Sequence, residues 1–275
     1  MKKKCMVYKY SDENIGLIDY RMLPPKIVSP HDEPSMELIQ RDVDEIKVSK
    51  NEELSFFTPS IVSIQLNVAK PALLRCGVLS KELKALAEKQ KKSLETKEHE
   101  QLIKDSLVLY EYLECAQTAI MFSFTAIETF FNLSIPEDYE YKRTSKLKTE
   151  IFNKSQIERS ISWKEKLTKI IPEIYNISDF SLEPFWGHLH QLIQIRNDIV
   201  HQKSSEDTEI VQKLIKLKVP IVCFSAIELI EHIYIKASEN ESIPECCERF
   251  PIVSADNIWL IKKTSYLKPV NDDLT

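Results

Sequence analysis

The chain has 275 residues and a net charge of −5, long enough for a full hydrophobic core and not basic enough for a coat of positive potential. Three glycines in the whole sequence, Gly16, Gly77 and Gly187, exclude a phosphate-cradling glycine loop and with it P-loop and Rossmann chemistry. The six cysteines show no CxxC spacing, and the few residues after Lys2–Lys4 are too short for the apolar core of a signal peptide, so reduced thiols in a cytoplasmic protein are expected.

In chain order, residues 1–79 hold six prolines and read as an irregular N-terminal extension. Within it, Met6 to Tyr10 and Ile61 to Val68 are β-branched or alternate, as short strands do. The first of these is expected to pair with Ile258 to Ile261, in a small sheet built from both ends of the chain. Ser80 is expected to cap a charged helix running to about Glu95.

From Glu98 to Leu133, Leu102, Leu109, Leu113, Ala116, Ile120, Ile127 and Phe131 recur at spacings of three, four or seven. That period predicts an amphipathic helix of about 50 Å. Its second half is apolar on more than one face, as suits burial between several helices or at a dimer seam.

Pro136 ends that helix and opens a polar connection. Between Lys142 and Lys169 lie nine Lys or Arg against three Glu, a local surplus that suits an anionic partner. Ser162 to Ile171 reads as a shorter helix stopped by Pro172. Asp179 or Ser181 then caps a helix, beginning near Glu183, whose apolar stripe is Phe185, Trp186, Leu189, Leu192, Ile193, Ile199 and Val200. After the polar break Gln202 to Asp207, Thr208 to Ala237 forms a final helical stretch, kinked at Pro220. Its most apolar window carries Glu228, Glu231 and His232, which marks a core helix and not a membrane span.

The expected fold class is mainly α. It is an antiparallel helical bundle over residues 80–240, with irregular or small-β extensions at 1–79 and at 241–275.

Near the end of the motif helix stands Arg196-Asn197-Asp198-Ile199-Val200-His201. On a helix His201 stacks one turn above Asn197 and is rotated by about 140° from Arg196. An imidazole there can take or give a proton near neutral pH, and a guanidinium offers N–H pairs to phosphate oxygens. RNA strand scission needs little else. The ribose 2′-hydroxyl attacks the adjacent phosphorus once a base removes its proton, an acid protonates the leaving 5′-oxygen, and no metal is required. One copy brings one imidazole, so a two-fold dimer would complete the acid and base pair.

The order Arg, polar residue, short spacer, His, late on a helix of an all-α bundle, resembles the HEPN superfamily over roughly residues 98–238. Phe122 to Phe131 likewise resembles the long helix that precedes the motif in that family. The resemblance implies a dimeric, cofactor-free and metal-independent ribonuclease, deployed in toxin–antitoxin or antiviral defence, with an antitoxin or another defence protein as partner. In it Arg196, Asn197 and His201 are the catalytic set. The subclass whose motif His is followed two residues later by Tyr is not matched, because Lys203 stands there.

Lys142, Arg143, Lys146 and Lys148 are the expected guides for the RNA backbone. The alternative is a non-catalytic HEPN-like module that binds nucleotide, RNA or a protein. A purely structural reading pairs Arg196 with Glu128 and leaves His201 as a helix end. His188 and His190, two apart, point to different helix faces and make no metal site, and His31, His99 and His232 have no sequence-near partner.

Overall fold

The computed structural model describes residues 4–9, 21–23, 26–28, 38–91, 99–144, 148–177, 180–201 and 207–239. Within them the protein is mainly helical, with small antiparallel sheets.

The N-terminal region is more regular than its prolines suggest. Strand β1 (Lys4–Lys9) pairs along one edge of β3 (Leu38–Lys47), while β2 (Lys26–Val28) and β4 (Glu53–Phe57) pair along the other, all antiparallel. The strand expected at Met6 therefore exists but takes β3 as its partner, with Met6 opposite Arg41; residues 258–261 lie outside the described residues. Long β3 supplies the ladder bonds for three short neighbours, which is why isolated short strands can persist here. A bridge between Met22 and Pro59 and a bond from Ser60 N to Arg21 O at 2.7 Å lead the chain from this sheet into the helices.

The expected strand at Ile61 to Val68 is instead the start of a long helix, α1 (Ile61–Lys91), and the expected start at Ser80 falls inside it. Ser60 begins the helix, its Oγ accepting from Ser63 N at 3.3 Å. Buried Val62, Leu66, Ala69, Leu73 and Cys76 recur at steps of four and three, and this stripe outweighs the β-branching of Ile61, Val62, Ile64 and Val68. Pro71 lies on the exposed side between that stripe's turns, where the packing of Ala72 and Leu73 offsets its missing N–H.

Helix α2 (His99–Ser134) follows the predicted range closely and is the centre of the fold, contacting α1 and the helices that follow. Small buried residues, Ala116, Ala119, Ser123 and Ala126, let neighbours approach several of its faces, while Phe124, Ile127, Phe130 and Phe131 fill the gaps.

The connection after Pro136 is not a plain polar loop. It forms a hairpin of β5 (Glu140–Thr144) and β6 (Thr149–Asn153), with Tyr141 opposite Phe152. Buried Tyr141 joins Ile135, Ile157, Ile161 and Ile170 in a second, smaller core beneath it. Asn153 then opens α3 (Lys154–Ser160) with a reciprocal cap, Gln156 N donating to Asn153 Oδ1 at 3.0 Å and Asn153 N to Gln156 Oε1 at 2.9 Å.

The helix expected from Ser162 exists as three joined pieces: α4 (Trp163–Glu165), a π-turn over Lys166–Ile170, and α5 (Ile171–Tyr175). Pro172 does not stop it. The widened π-turn leaves Pro172 in the first turn of a new helical register, where its lack of an N–H costs nothing, and left-handed Asn176 (φ 50°) ends the run.

The motif helix α6 begins at Trp186, after a short 3₁₀ turn at Phe180–Leu182. Its N-cap is Phe185, which makes no side-chain cap, so Ser181 does not cap it, and Asp179 lies outside the described residues. The last stretch is two helices in place of one kinked helix, α7 (Asp207–Lys216) and α8 (Val219–Glu239), with Pro220 accommodated in the first turn of α8. Among the described residues no helix is long and apolar enough to cross a membrane.

Candidate functional site

Helix α6 turns Leu189, Leu192, Ile193 and Ile195 into the main core, which leaves Arg196 and Asn197 half-buried at its margin. Val200, expected in the apolar stripe, is 45% exposed. Arg196 does not pair with Glu128 by any ion bridge among the described residues. Its guanidinium carbon lies over the ring of Phe124, 4.6 Å from the centroid, and its Nη1 donates to Asn197 Oδ1 at 3.1 Å. Arg196 Nε is buried and has no hydrogen-bond partner among the described residues.

Phe124 is fully buried on α2, and its ring and that of Trp163 stand in a T-shaped pair, centroids 6.1 Å apart at an interplanar angle of 80°. Edge-to-face contact is the favoured geometry of two quadrupolar rings, so each fixes the other. The floor of the site is thus Phe124 and Trp163, neither of which was singled out by sequence reasoning. Phe124 lies in the stretch Phe122 to Phe131 that carried the family resemblance, but only the packing shows that its ring meets Arg196.

His201 stands at the C-cap of α6 (φ −110°, ψ 31°), its N–H donating to Asn197 O at 2.9 Å. Its side chain is exposed. Between Arg196 and His201, Asp198 reaches Lys213 of α7, Oδ2 to Nζ at 3.0 Å, and Lys213 also meets Glu209 at 3.1 Å. The end of the motif helix is therefore pinned to α7 through Asp198. Arg196 and Asn197 touch; His201 stacks one turn beyond them without contacting Arg196.

The four expected RNA-guiding residues do not form one free basic patch. Lys142 on β5 is exposed, and Lys148 pairs with Glu150 at 2.8 Å. Lys146 lies outside the described residues. Arg143 is committed to Glu165 by two hydrogen bonds, Nε to Oε1 at 3.1 Å and Nη2 to Oε2, with its guanidinium also over Phe152. Tyr141 Oη adds a bond to Glu165 Oε1 at 2.8 Å. The donors, Arg143 first, hold the Glu165 carboxyl below its ordinary range.

The short helix α4 joins the two regions. Trp163 supports the floor under Arg196, and two residues later Glu165 anchors the basic hairpin, with Ser162 Oγ capping the turn at Glu165 N. Next in line, Lys166 is 5% exposed and donates from Nζ to Asn132 Oδ1 at 2.7 Å and to Glu158 O at 3.1 Å. Burial pushes its ammonium below the usual lysine range, and nearby Glu128 and Glu158 pull it partly back. The π-turn that starts at Lys166 is the local distortion around this buried cation.

Among the remaining histidines, His190 packs on Trp186 at 4.6 Å, and His232 lies between the rings of Phe180 and Phe185 at 5.7 Å from each. His232 also has the carboxylate partner that sequence spacing did not reveal, Glu183, at 3.5 Å. No group of three or more His, Cys, Asp or Glu is arranged to hold a metal ion among the described residues.

In chemical terms, the site offers a cation that no described carboxylate neutralises, an amide oriented by it, and an exposed imidazole one turn away. Such a set can hold an anion and move a proton beside it. The chain matches no protein-family model, no curated protein and no solved structure.

Proposed function

We propose that the protein is a metal-independent endoribonuclease of HEPN type, acting as a homodimer in a toxin or antiviral defence setting, where an antitoxin or other defence protein is its partner. The observation that carries this reading is the state of Arg196: half-buried and backed by the Phe124 ring in place of a described carboxylate, it keeps its positive charge for a ligand. In this reaction Arg196 binds the non-bridging phosphate oxygens. His201 of one copy takes the proton of the ribose 2′-hydroxyl, and His201 of the second copy protonates the leaving 5′-oxygen, which releases a 2′,3′-cyclic phosphate and a 5′-hydroxyl. Asn197, already bonded to Arg196, orients the guanidinium or the substrate.

The test is cleavage of single-stranded RNA in EDTA, with the product ends examined for cyclic phosphate. His201→Ala is expected to lower the rate by roughly 10²- to 10⁴-fold. Undiminished cleavage by that variant removes His201 from the mechanism and the reading with it.

A second reading is favoured by the exposure of His201, whose side chain no described neighbour orients. Here the same surface binds RNA, a nucleotide or a protein partner without turnover. It predicts binding that survives His201→Ala and weakens with Arg196→Ala.

A further inference from the structure

An arginine that must meet a phosphate needs a support that fixes its place without consuming its charge. A carboxylate support would do the first and undo the second, since it takes N–H donors and neutralises the guanidinium. A ring face attracts the cation by its quadrupole and carries no net charge of its own. Arg196 has the second kind of support: its guanidinium carbon is 4.6 Å from the Phe124 centroid.

The support is itself rigid. Phe124 is 1% exposed, belongs to the main core, and forms a T-shaped pair with Trp163, centroids 6.1 Å apart. Trp163 in turn opens a helix capped by Ser162, and Glu165 of the same turn is bonded to Tyr141 and Arg143 of the hairpin. The ring is thus held on α2 and braced by α4, which Glu165 in turn ties to the hairpin.

The neighbouring amide completes the selection. Asn197 turns its Oδ1 to Arg196 Nη1 at 3.1 Å, so its remaining side-chain polar atom is an N–H₂ donor. Beyond that bond the polar atoms left on both side chains are donors, a set suited to an anionic, acceptor-rich group such as a phosphodiester.

We propose that Phe124, locked by Trp163, is the positioning residue that holds Arg196 as a charged, uncommitted phosphate-binding group. The inference rests on the reading of Arg196 as the substrate's phosphate ligand. Phe124 acts through Arg196 and does not touch the substrate.

The experiment replaces Phe124 in the full chain with mono-, di- and trifluorinated phenylalanine, which keep the shape of the ring while draining the electron density of its face. Phe124→Leu and Phe124→Tyr accompany the series. Two readouts are taken: the NMR resonance of Arg196 Nε–H, assigned by its loss in Arg196→Lys, and the affinity for a single-stranded oligoribonucleotide by fluorescence anisotropy.

Affinity is expected to fall stepwise with fluorination, by roughly 2- to 30-fold at the end of the series, with the Nε–H resonance moving in parallel. Phe124→Tyr retains binding, and Phe124→Leu loses it. A purely structural ring would not give a graded response at constant thermal midpoint. Should Phe124→Leu fail to fold, the fluorinated series still decides, because it leaves no cavity. Invariant affinity and an invariant resonance across the series overturn the proposal. If the wild-type protein binds no RNA, the ribonuclease reading fails by itself, and the resonance series alone decides the role of Phe124: graded movement supports it and invariance overturns it.

Discussion

Replacing Glu165 with Gln tests whether one carboxylate holds the basic hairpin to the helical body. Glu165 accepts from Tyr141 Oη at 2.8 Å and from Arg143 Nε at 3.1 Å and Nη2, and its side chain is only 16% exposed. Gln keeps one oxygen, which can still accept from Tyr141, but it sets an N–H₂ against Arg143 Nη2, donor against donor. A charge-assisted hydrogen bond contributes about 1.5–3 kcal/mol. Because the Arg143 side chain is 35% exposed, solvent screening reduces its share, and Lys169, 59% exposed at 3.5 Å, adds little. The expected loss is therefore about 2 kcal/mol, read as a lower urea midpoint at unchanged slope.

The pH dependence supplies a second check on the same variant. The carboxyl is held below its ordinary value of 4.5, chiefly by Arg143. A depressed carboxyl stabilises the fold fully above that value, and its contribution is lost as pH falls through the lower, folded value. The gap between wild type and Glu165→Gln is accordingly full at neutral pH and closes below about pH 4.5. An equal gap at pH 7 and pH 3, or no gap at either, would refute the assignment of Glu165 as the anchor.

Two further outcomes follow from buried groups. Tyr112→Phe removes the bond from Tyr112 Oη to Leu214 O at 2.9 Å and strands a carbonyl near the end of α7, at a cost of about 1–2 kcal/mol; faster amide exchange confined to α7 is the expected signature, and unchanged exchange there would contradict it. Burial, the largest cause, pushes the Cys76 and Cys223 thiols from 9.0 to about 12, so the unfolded chain sheds these protons first and stability falls as pH rises through that window. Three pH units correspond to on the order of 4 kcal/mol per thiol. The double variant with Ala at both positions is expected to show a shallower alkaline loss of stability in urea titrations, and an identical slope would exclude these thiols as its source.

Sequence patterning located α2 closely because its apolar positions recur over ten turns, a signal that local exceptions cannot erase. At Ile61 to Val68 the same logic failed, since a β-branched run looks like a strand until Leu66, Ala69, Leu73 and Cys76 are counted with Val62 as one stripe. Local sequence makes Pro172 a helix stop and Pro220 a kink. Each lies in a first helical turn, which no local rule distinguishes from a stop without knowing where the turn begins.

The motif Arg196, Asn197 and His201 was legible because its residue types and spacing are local properties of one helix. Sequence alone also determined that helices dominate. Tertiary structure decided what each charge is free to do: Arg196 rests on Phe124, whereas Arg143, equal to it in sequence terms, is bound to Glu165. The physical reason is that a side chain's partner is set by which helices and strands pack together. Phe124 and Arg196 lie on different helices, α2 and α6, far apart in sequence and joined by one ring contact in space.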